Sequence, residues 1–308
     1  MARASFRVSA PGSLMLLGEH AVLHGRRSLC GAVDKRMEVK LTPQKSGILH
    51  IISALGSYES PVRELAPSSR FSFIIHAVGK QRDRLPGGLR LDVKSGFSST
   101  VGLGSSAAVT VATTAALMEW AGQSYSREDI FREARGTIRA VQGLGSGADA
   151  AASVFGGVLV YRMDPLEIRR LTCCPPLTLV YSGYKEPTVK VVQLLEQRRN
   201  NDPEYFERLF DAIDQSVPQA AGAVEAQDWP ALGKILNGNQ EFMSQMELST
   251  PDLDRIIEIL RSRPNIFGAK ISGSGLGDCA VGIGEIRLRG IEYEQIDVKL
   301  SPRGVEID

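Results

Sequence analysis

The chain has 308 residues, 43% of them hydrophobic and 23% charged, which excludes a disordered polymer and is enough for one large domain or two fused ones without covalent staples. Its 36 basic and 35 acidic residues leave a formal charge of +1, so no overall field draws it to nucleic acid or an anionic membrane, and a charged ligand has to be met locally. The 31 glycines exceed the usual share of about 7% without a collagen-type period, pointing to tight turns and close backbone approaches.

Arg3 and Arg7 precede no long apolar stretch, and Leu14-Met15-Leu16-Leu17 breaks off at Gly18-Glu19-His20, too short for a secretion signal. Residues 6–10 alternate and stop at Pro11-Gly12, as a strand running into a turn. Strands are predicted at 37–41 and 48–54 around a turn at 43–47, then a helix over 71–84 and a strand over 89–93. Helices follow over Ser105–Trp120, made largely of small residues, and over 126–141, with Ser126 as N-cap and Asp129 at the third helical position. Residues 95–118 carry no charge and are long enough to span a bilayer, yet they are too rich in Ser, Thr and Gly for a membrane helix.

A strand at 158–161 closes the first half, and the pattern changes after Asp164-Pro165. A buried strand at Leu177–Tyr181 leads into helices at 188–198, 203–224, 229–246 and 253–261, then short strands at 269–272 and Cys279–Ile283. The expectation is an α+β protein of two lobes, residues 1–165 and 166–308. Cys30, Cys173, Cys174 and Cys279 have no zinc spacing and imply no disulfide framework, so a reduced, cytoplasmic setting is expected.

The unusual chemistry lies in three glycine-rich segments: Pro11 to His20, Gly102 to Ala108 and Ser272 to Asp278. In the second, Gly102-Leu103-Gly104 leads into Ser105-Ser106-Ala107-Ala108 and a helix. Such a loop aims several backbone N–H groups at one point, and the helix N-terminus adds partial positive charge, so phosphate is held without Lys or Arg. An ordinary glycine-rich turn capping a core helix has the same local signature. The pattern Gly102-x-Gly104-x-x-Ala107 also fits a dinucleotide fingerprint, but Gly122, where an acid should follow, is not acidic, and no Walker A loop is present.

Taken in order, the segments resemble those of the GHMP small-molecule kinases. Pro11 to Gly25 (PGSLMLLGEHAVLHG) is similar to motif 1 as mevalonate kinases carry it, GLGSSAA at Gly102 to Ala108 to the ATP-phosphate motif, and SGSGLGDC at Ser272 to Cys279 to motif 3. Ser146-Gly147-Ala148-Asp149 resembles the segment with the catalytic aspartate. The resemblance implies a two-lobed fold, an N-terminal α/β lobe and a ferredoxin-like C-terminal lobe, with the active site in the cleft between. It also implies ATP and Mg2+, with Gly102, Leu103, Gly104, Ser105, Ser106 and Ala107 on the nucleotide phosphates and Ser106 on the magnesium ion. Asp149 would accept or orient the proton of the substrate hydroxyl, its bland alternative being a helix-start carboxylate. Ser13, Glu19, His20, Gly273, Ser274 and Gly275 would meet the substrate, with Gly277 in the same close-approach loop.

Galactokinases follow the Glu-His pair with Thr-Asp, whereas this chain has Ala21-Val22, which favours a small hydroxy-acid such as mevalonate over a sugar. Phosphomevalonate or another small alcohol is the alternative acceptor, and a non-catalytic ligand-binding relative the alternative class. No nucleic-acid or membrane partner is expected; a homodimer is left open. His20 and His24 share helical spacing but lack a third metal ligand.

Lys185, after the strand-end Gly183, is expected to reach an anionic substrate or the transferring phosphoryl group as a second catalytic residue, the alternative being a solvated loop lysine. Two departures stand out: Ser13 replaces the lysine that mevalonate kinases carry after Pro-Gly, and Ile138 stands where they place a magnesium-binding glutamate. A lysine restored at 13 is expected to lack a carboxylate partner, and Asp278 is read as a turn residue rather than an acid of the site.

Overall fold

The computed structural model describes residues 5–98 and 101–308, so Arg3 lies outside the described residues. β1 (Phe6–Leu17) and β2 (Ser28–Gln44), linked by a 3-10 turn at Ala21–His24, form a long antiparallel pair. β3 (Ile48–Ser53), β4 (Gly56–Pro61), α1 (Ser72–Gln81), β5 (Gly88–Ser95), α2 (Ser105–Trp120), α3 (Arg127–Gln142), α4 (Ala148–Phe155), β6 (Val158–Arg162) and β7 (Glu167–Arg170) follow. The second lobe contains β8 (Leu177–Tyr181), α5 (Thr188–Asn201), α6 (Pro203–Glu225), α7 (Trp229–Gln245), α8 (Pro251–Arg261), β9 (Gly268–Ser272), β10 (Cys279–Ile283) and β11 (Glu294–Ile296); β12 (Glu306–Ile307) ends the chain.

The first sheet runs β12-β1-β2-β5-β3-β4, with β6 and β7 continuing from β2. The second runs β11-β8-β10-β9 and is antiparallel throughout. A division at residue 165 therefore does not follow the sheets: β7 and β12 both belong to the first one. The α+β expectation holds, and α1 to α3 and α5 to α8 lie close to their predicted bounds, whereas the strand predicted at 37–41 runs from Ser28 to Gln44 and α4 was not predicted.

The predicted turn at Pro11-Gly12 is a correction. β1 continues to Leu17, with register shifts against β2 between Pro11 and Ser13 and between Met15 and Leu17. Proline and glycine are tolerated in a strand where the ladder is irregular. Gly12 has a further reason: a Cβ there would lie 2.6 Å from the Leu103 carbonyl oxygen. The backbones of motif 1 and the phosphate loop thus touch, and the Ser13 N–H donates to the Leu103 carbonyl at 3.1 Å.

The uncharged stretch is accounted for by α2, which is buried along most of its length against β1, β2, α1, α3 and α4. Small side chains let five elements close around one helix. No helix of the described residues is long and apolar enough to cross a membrane. α3 opens with the predicted Ser126–Asp129 capping box, and Asp202, Asp228 and Thr250 cap α6, α7 and α8 with a proline in the first turn of each.

One apolar cluster lies between the first sheet and α1 to α4, and another fills the second lobe. A third crosses the junction: Leu14, Leu16 and Leu17 of β1 pack with Val217 and Val224 of α6, Leu179 of β8 and Val281 of β10. The lobes share this core, which fixes the cleft between them.

Candidate active site

The three glycine-rich segments converge on one interlobe cleft of about 410 Å³. Gly102, Leu103, Gly104, Ser105, Ser106, Ala107, Glu19, His20, Asp149, Lys185, Gly273 and Ser274 all line it. Ser13 and Gly275 stand behind this wall: Ser13 is 1% exposed, and a Cβ on Gly275 would meet the Leu248 carbonyl oxygen at 2.6 Å.

The phosphate loop enters α2 through glycines with left-handed backbone, φ 66° at Gly102 and 62° at Gly104. Both glycines are also required by contact. A Cβ on Gly104 would lie 1.9 Å from Ser13 Oγ, and one on Gly102 would lie 1.8 Å from Asp278 Oδ1. Ser105 and Ser106 open α2, so their backbone N–H groups are among those a helix leaves unpaired at its start.

Asp149 is in the first turn of α4, exposed to the cleft. Ser13 Oγ donates to its Oδ1 at 2.7 Å. Ser13 thus orients the carboxylate, a role the sequence did not suggest. It also corrects the expectation for a lysine at 13: Asp149 itself would be its carboxylate partner. The turn before α4 is held by the Tyr161 hydroxyl, which donates to the Ser146 carbonyl.

The other end of the cleft is built on a buried ion pair that sequence reading missed. Lys270 of β9 donates to Glu19 Oε1 at 2.5 Å, with side-chain exposures of 0% and 2%. Burial pushes the Lys270 ammonium down from its ordinary value, and Glu19 counters the push. The available signal was a lone lysine inside the apolar run Ile266 to Ile271. Next to Glu19, His20 adopts a positive φ of 62°, and its Nε2 donates to the Ser274 carbonyl at 2.8 Å. Burial holds the imidazole below its ordinary value, so it is neutral and its Nδ1 is an acceptor.

Asp278 corrects a further expectation. It does have turn geometry, φ 74°, but it is 3% exposed and belongs to the site. Lys185 Nζ donates to Asp278 Oδ2 at 2.9 Å, so Lys185 is a cleft lysine and not a solvated one. Burial pushes the Asp278 carboxyl up, and Lys185 pulls it back. Ile138 also lines the cleft and brings no ligand atom. Glu19 Oε2, His20 Nδ1, Ser274 Oγ and Asp278 Oδ1 are buried and have no hydrogen-bond partner among the described residues. Four orphaned polar atoms around one cleft describe a site shaped for a polar ligand.

The GHMP kinases N-terminal domain profile matches residues 72–157, and the GHMP kinases C-terminal profile matches residues 220–287. A mevalonate kinase of Archaeoglobus fulgidus is 34% identical over 278 residues, covering 89% of this chain and 91% of that one. The chain belongs to the GHMP kinase family. A mevalonate kinase of Aeropyrum pernix is 29% identical over 301 residues, covering 94% of this GHMP kinase and 92% of its own length. Among solved structures, L. major mevalonate kinase in complex with R-mevalonate has a TM-score of 0.75 at 26% identity, covering 90% and 86% of the two chains. The motif resemblance read from the sequence is therefore a family relationship along nearly the whole chain.

Proposed function

We propose that this GHMP kinase transfers the γ-phosphoryl group of ATP to the hydroxyl of mevalonate, with Mg2+ as the accompanying cation. The observation that carries the reading is the meeting of the Gly102–Ala107 loop, Asp149 and the Glu19-His20 pair in one cleft, in a chain with full-length mevalonate kinase relatives. Phosphoryl transfer asks mainly for positioning and charge neutralisation. The loop and the head of α2 hold the phosphates. Asp149, oriented by Ser13, takes the acceptor proton as the bond to phosphorus forms. Lys185 faces the developing charge.

The donor set suits a hard cation: hydroxyls at Ser105 and Ser106, and an orphaned carboxylate oxygen on Asp278. Ser106 would hold the ion, which when bound neutralises the phosphate oxygens. Among the described residues lining the cleft, Lys185 is the one Lys or Arg, set against three carboxylates, Glu19, Asp149 and Asp278. An acceptor with a phosphate of its own would find little to neutralise it, which favours mevalonate over phosphomevalonate. The test is ADP release with mevalonate, phosphomevalonate and galactose as separate acceptors. Turnover with mevalonate is expected. Turnover with one of the others and none with mevalonate would overturn the proposal.

A further inference from the structure

Asp278 combines several properties that no turn residue needs. Its carboxylate is almost completely buried, yet it forms part of the cleft wall. One oxygen, Oδ2, is matched by Lys185; the other, Oδ1, has no hydrogen bond of ordinary geometry among the described residues, the Cys279 thiol being the one further donor that bears on the carboxylate. A buried carboxylate oxygen left unpaired is costly, and native structures rarely carry one without a ligand or ion to explain it. Oδ1 rests against the backbone of Gly102, so closely that a single methyl group on Gly102 would collide with it. Asp278 is therefore the carboxylate in contact with the phosphate loop.

The charge balance of this corner points the same way. The charge of Asp149 acts on Asp278 and adds to the effect of burial. Among the described residues that line the cleft, Lys185, paired with Asp278, is the one Lys or Arg beside Asp149 and Asp278, so this corner carries an excess negative charge before a polyphosphate enters. A polyanion is accommodated there only with additional positive charge. Magnesium sites at nucleotides commonly use one or two carboxylates together with phosphate oxygens and waters. Glu19 also has a free oxygen, but its carboxylate is sealed against Lys270 beside His20 and has no contact of this kind with the loop. Ile138 offers nothing.

We propose that Asp278 is a carboxylate ligand of the divalent cation that enters with the nucleotide, and that Lys185 holds it through Oδ2 so that Oδ1 faces the phosphate loop. The proposal rests on the reading of the cleft as an Mg·ATP site.

The test measures binding, not turnover. Mn2+ affinity is followed by electron paramagnetic resonance in the presence of the non-hydrolysable analogue AMPPNP, with metal-free AMPPNP binding as the check that the cleft is folded. Asp278→Asn is expected to weaken Mn2+ binding at least about tenfold while metal-free AMPPNP binding is retained. Asp278→Cys is expected to restore binding with Cd2+ better than with Mg2+, because a thiolate is the softer ligand. Lys185→Met, which leaves the carboxylate but removes the group that holds it, is expected to lose clearly less Mn2+ affinity than Asp278→Asn. Wild-type Mn2+ affinity in Asp278→Asn would overturn the proposal and leave Asp278 as a residue that only positions Lys185. Equal losses in Asp278→Asn and Lys185→Met would overturn it as well. Wild-type protein that binds no Mn2+ with AMPPNP would instead sink the kinase reading on which the proposal rests.

Discussion

At the scale of single residues, the cleft holds charged groups in fixed pairings. Asp149 has a fixed orientation because Ser13, one strand away, donates to it. Asp149→Asn should keep the fold and nucleotide affinity but lower kcat by about 10²–10⁴-fold, the range for a positioned acid–base group. Calorimetry with ATP alongside steady-state rates checks both halves, and near wild-type turnover would remove Asp149 from the chemistry. His20 gives a second prediction. Burial depresses its folded value, and His24 shifts in the same direction for the same reason. The unfolded chain then binds more protons than the folded one in the window below about pH 6.5. Stability from these residues is complete above that pH and declines as pH falls below it, until the folded value is reached. Urea midpoints from pH 8 to 5 should show this decline, and His20→Asn should make it shallower; an identical slope in the variant would contradict the assignment.

Among elements, what was legible in the sequence and what was not divides along physical lines. Ser126 and Asp129 identified α3 because a capping box is local chemistry, and the phosphate loop was legible because its glycines sit next to the helix they start. β1 was cut short because Pro11-Gly12 carries the signature of a turn; only its contact with Leu103, far along the chain, explains a strand there. β4, β7, β11 and β12 are short or polar and owe their state to their neighbours. The site follows the same division. Asp149 and the loop were read from local motifs and line the cleft, whereas Lys270 pairs with Glu19 of the other lobe and the place of Asp278 depends on Lys185, far away in sequence. Gly102 tests one such long-range constraint. Gly102→Ala combines a positive φ with a collision at Asp278 Oδ1, a strain of about 1–3 kcal/mol. Its expected result is weaker ATP binding, read by calorimetry, with the rest of the fold intact. Unchanged affinity would mean that the loop relaxes freely, and the close packing claimed for it would be wrong.

For the whole molecule, the lobes are joined by the shared apolar core and by charges that cross between them. Lys270 meets Glu19 in the interior, and Arg26 and Arg27 pair with Glu207, Asp211 and Asp214 of α6 nearer the surface. The exposed pairs contribute little each. The buried one differs, since removing one partner strands a charge. Lys270→Met should destabilise the protein by about 3–5 kcal/mol, and Lys270→Met combined with Glu19→Gln should recover a large part of it. Chemical denaturation of the two variants decides; equal stability of single and double variants would show that the pair is not coupled.

The pairing of β12 with β1 has a consequence for how the molecule assembles. β1 carries Ser13, and with it the alignment of Asp149, yet its outer neighbour comes from residues 306–307, after the entire second lobe in the chain. β1 therefore gains this hydrogen-bonded partner only after the whole second lobe has been made. Gly304 seals this arrangement, because its backbone lies so close to Val154 of α4 that a Cβ would sit 2.1 Å from the Val154 carbonyl oxygen. Order of synthesis and order of completion run in opposite directions, and long-range closures of this kind are slow. During synthesis, the lobe that bears the phosphate loop and Asp149 has to wait for the other lobe before its own sheet is finished.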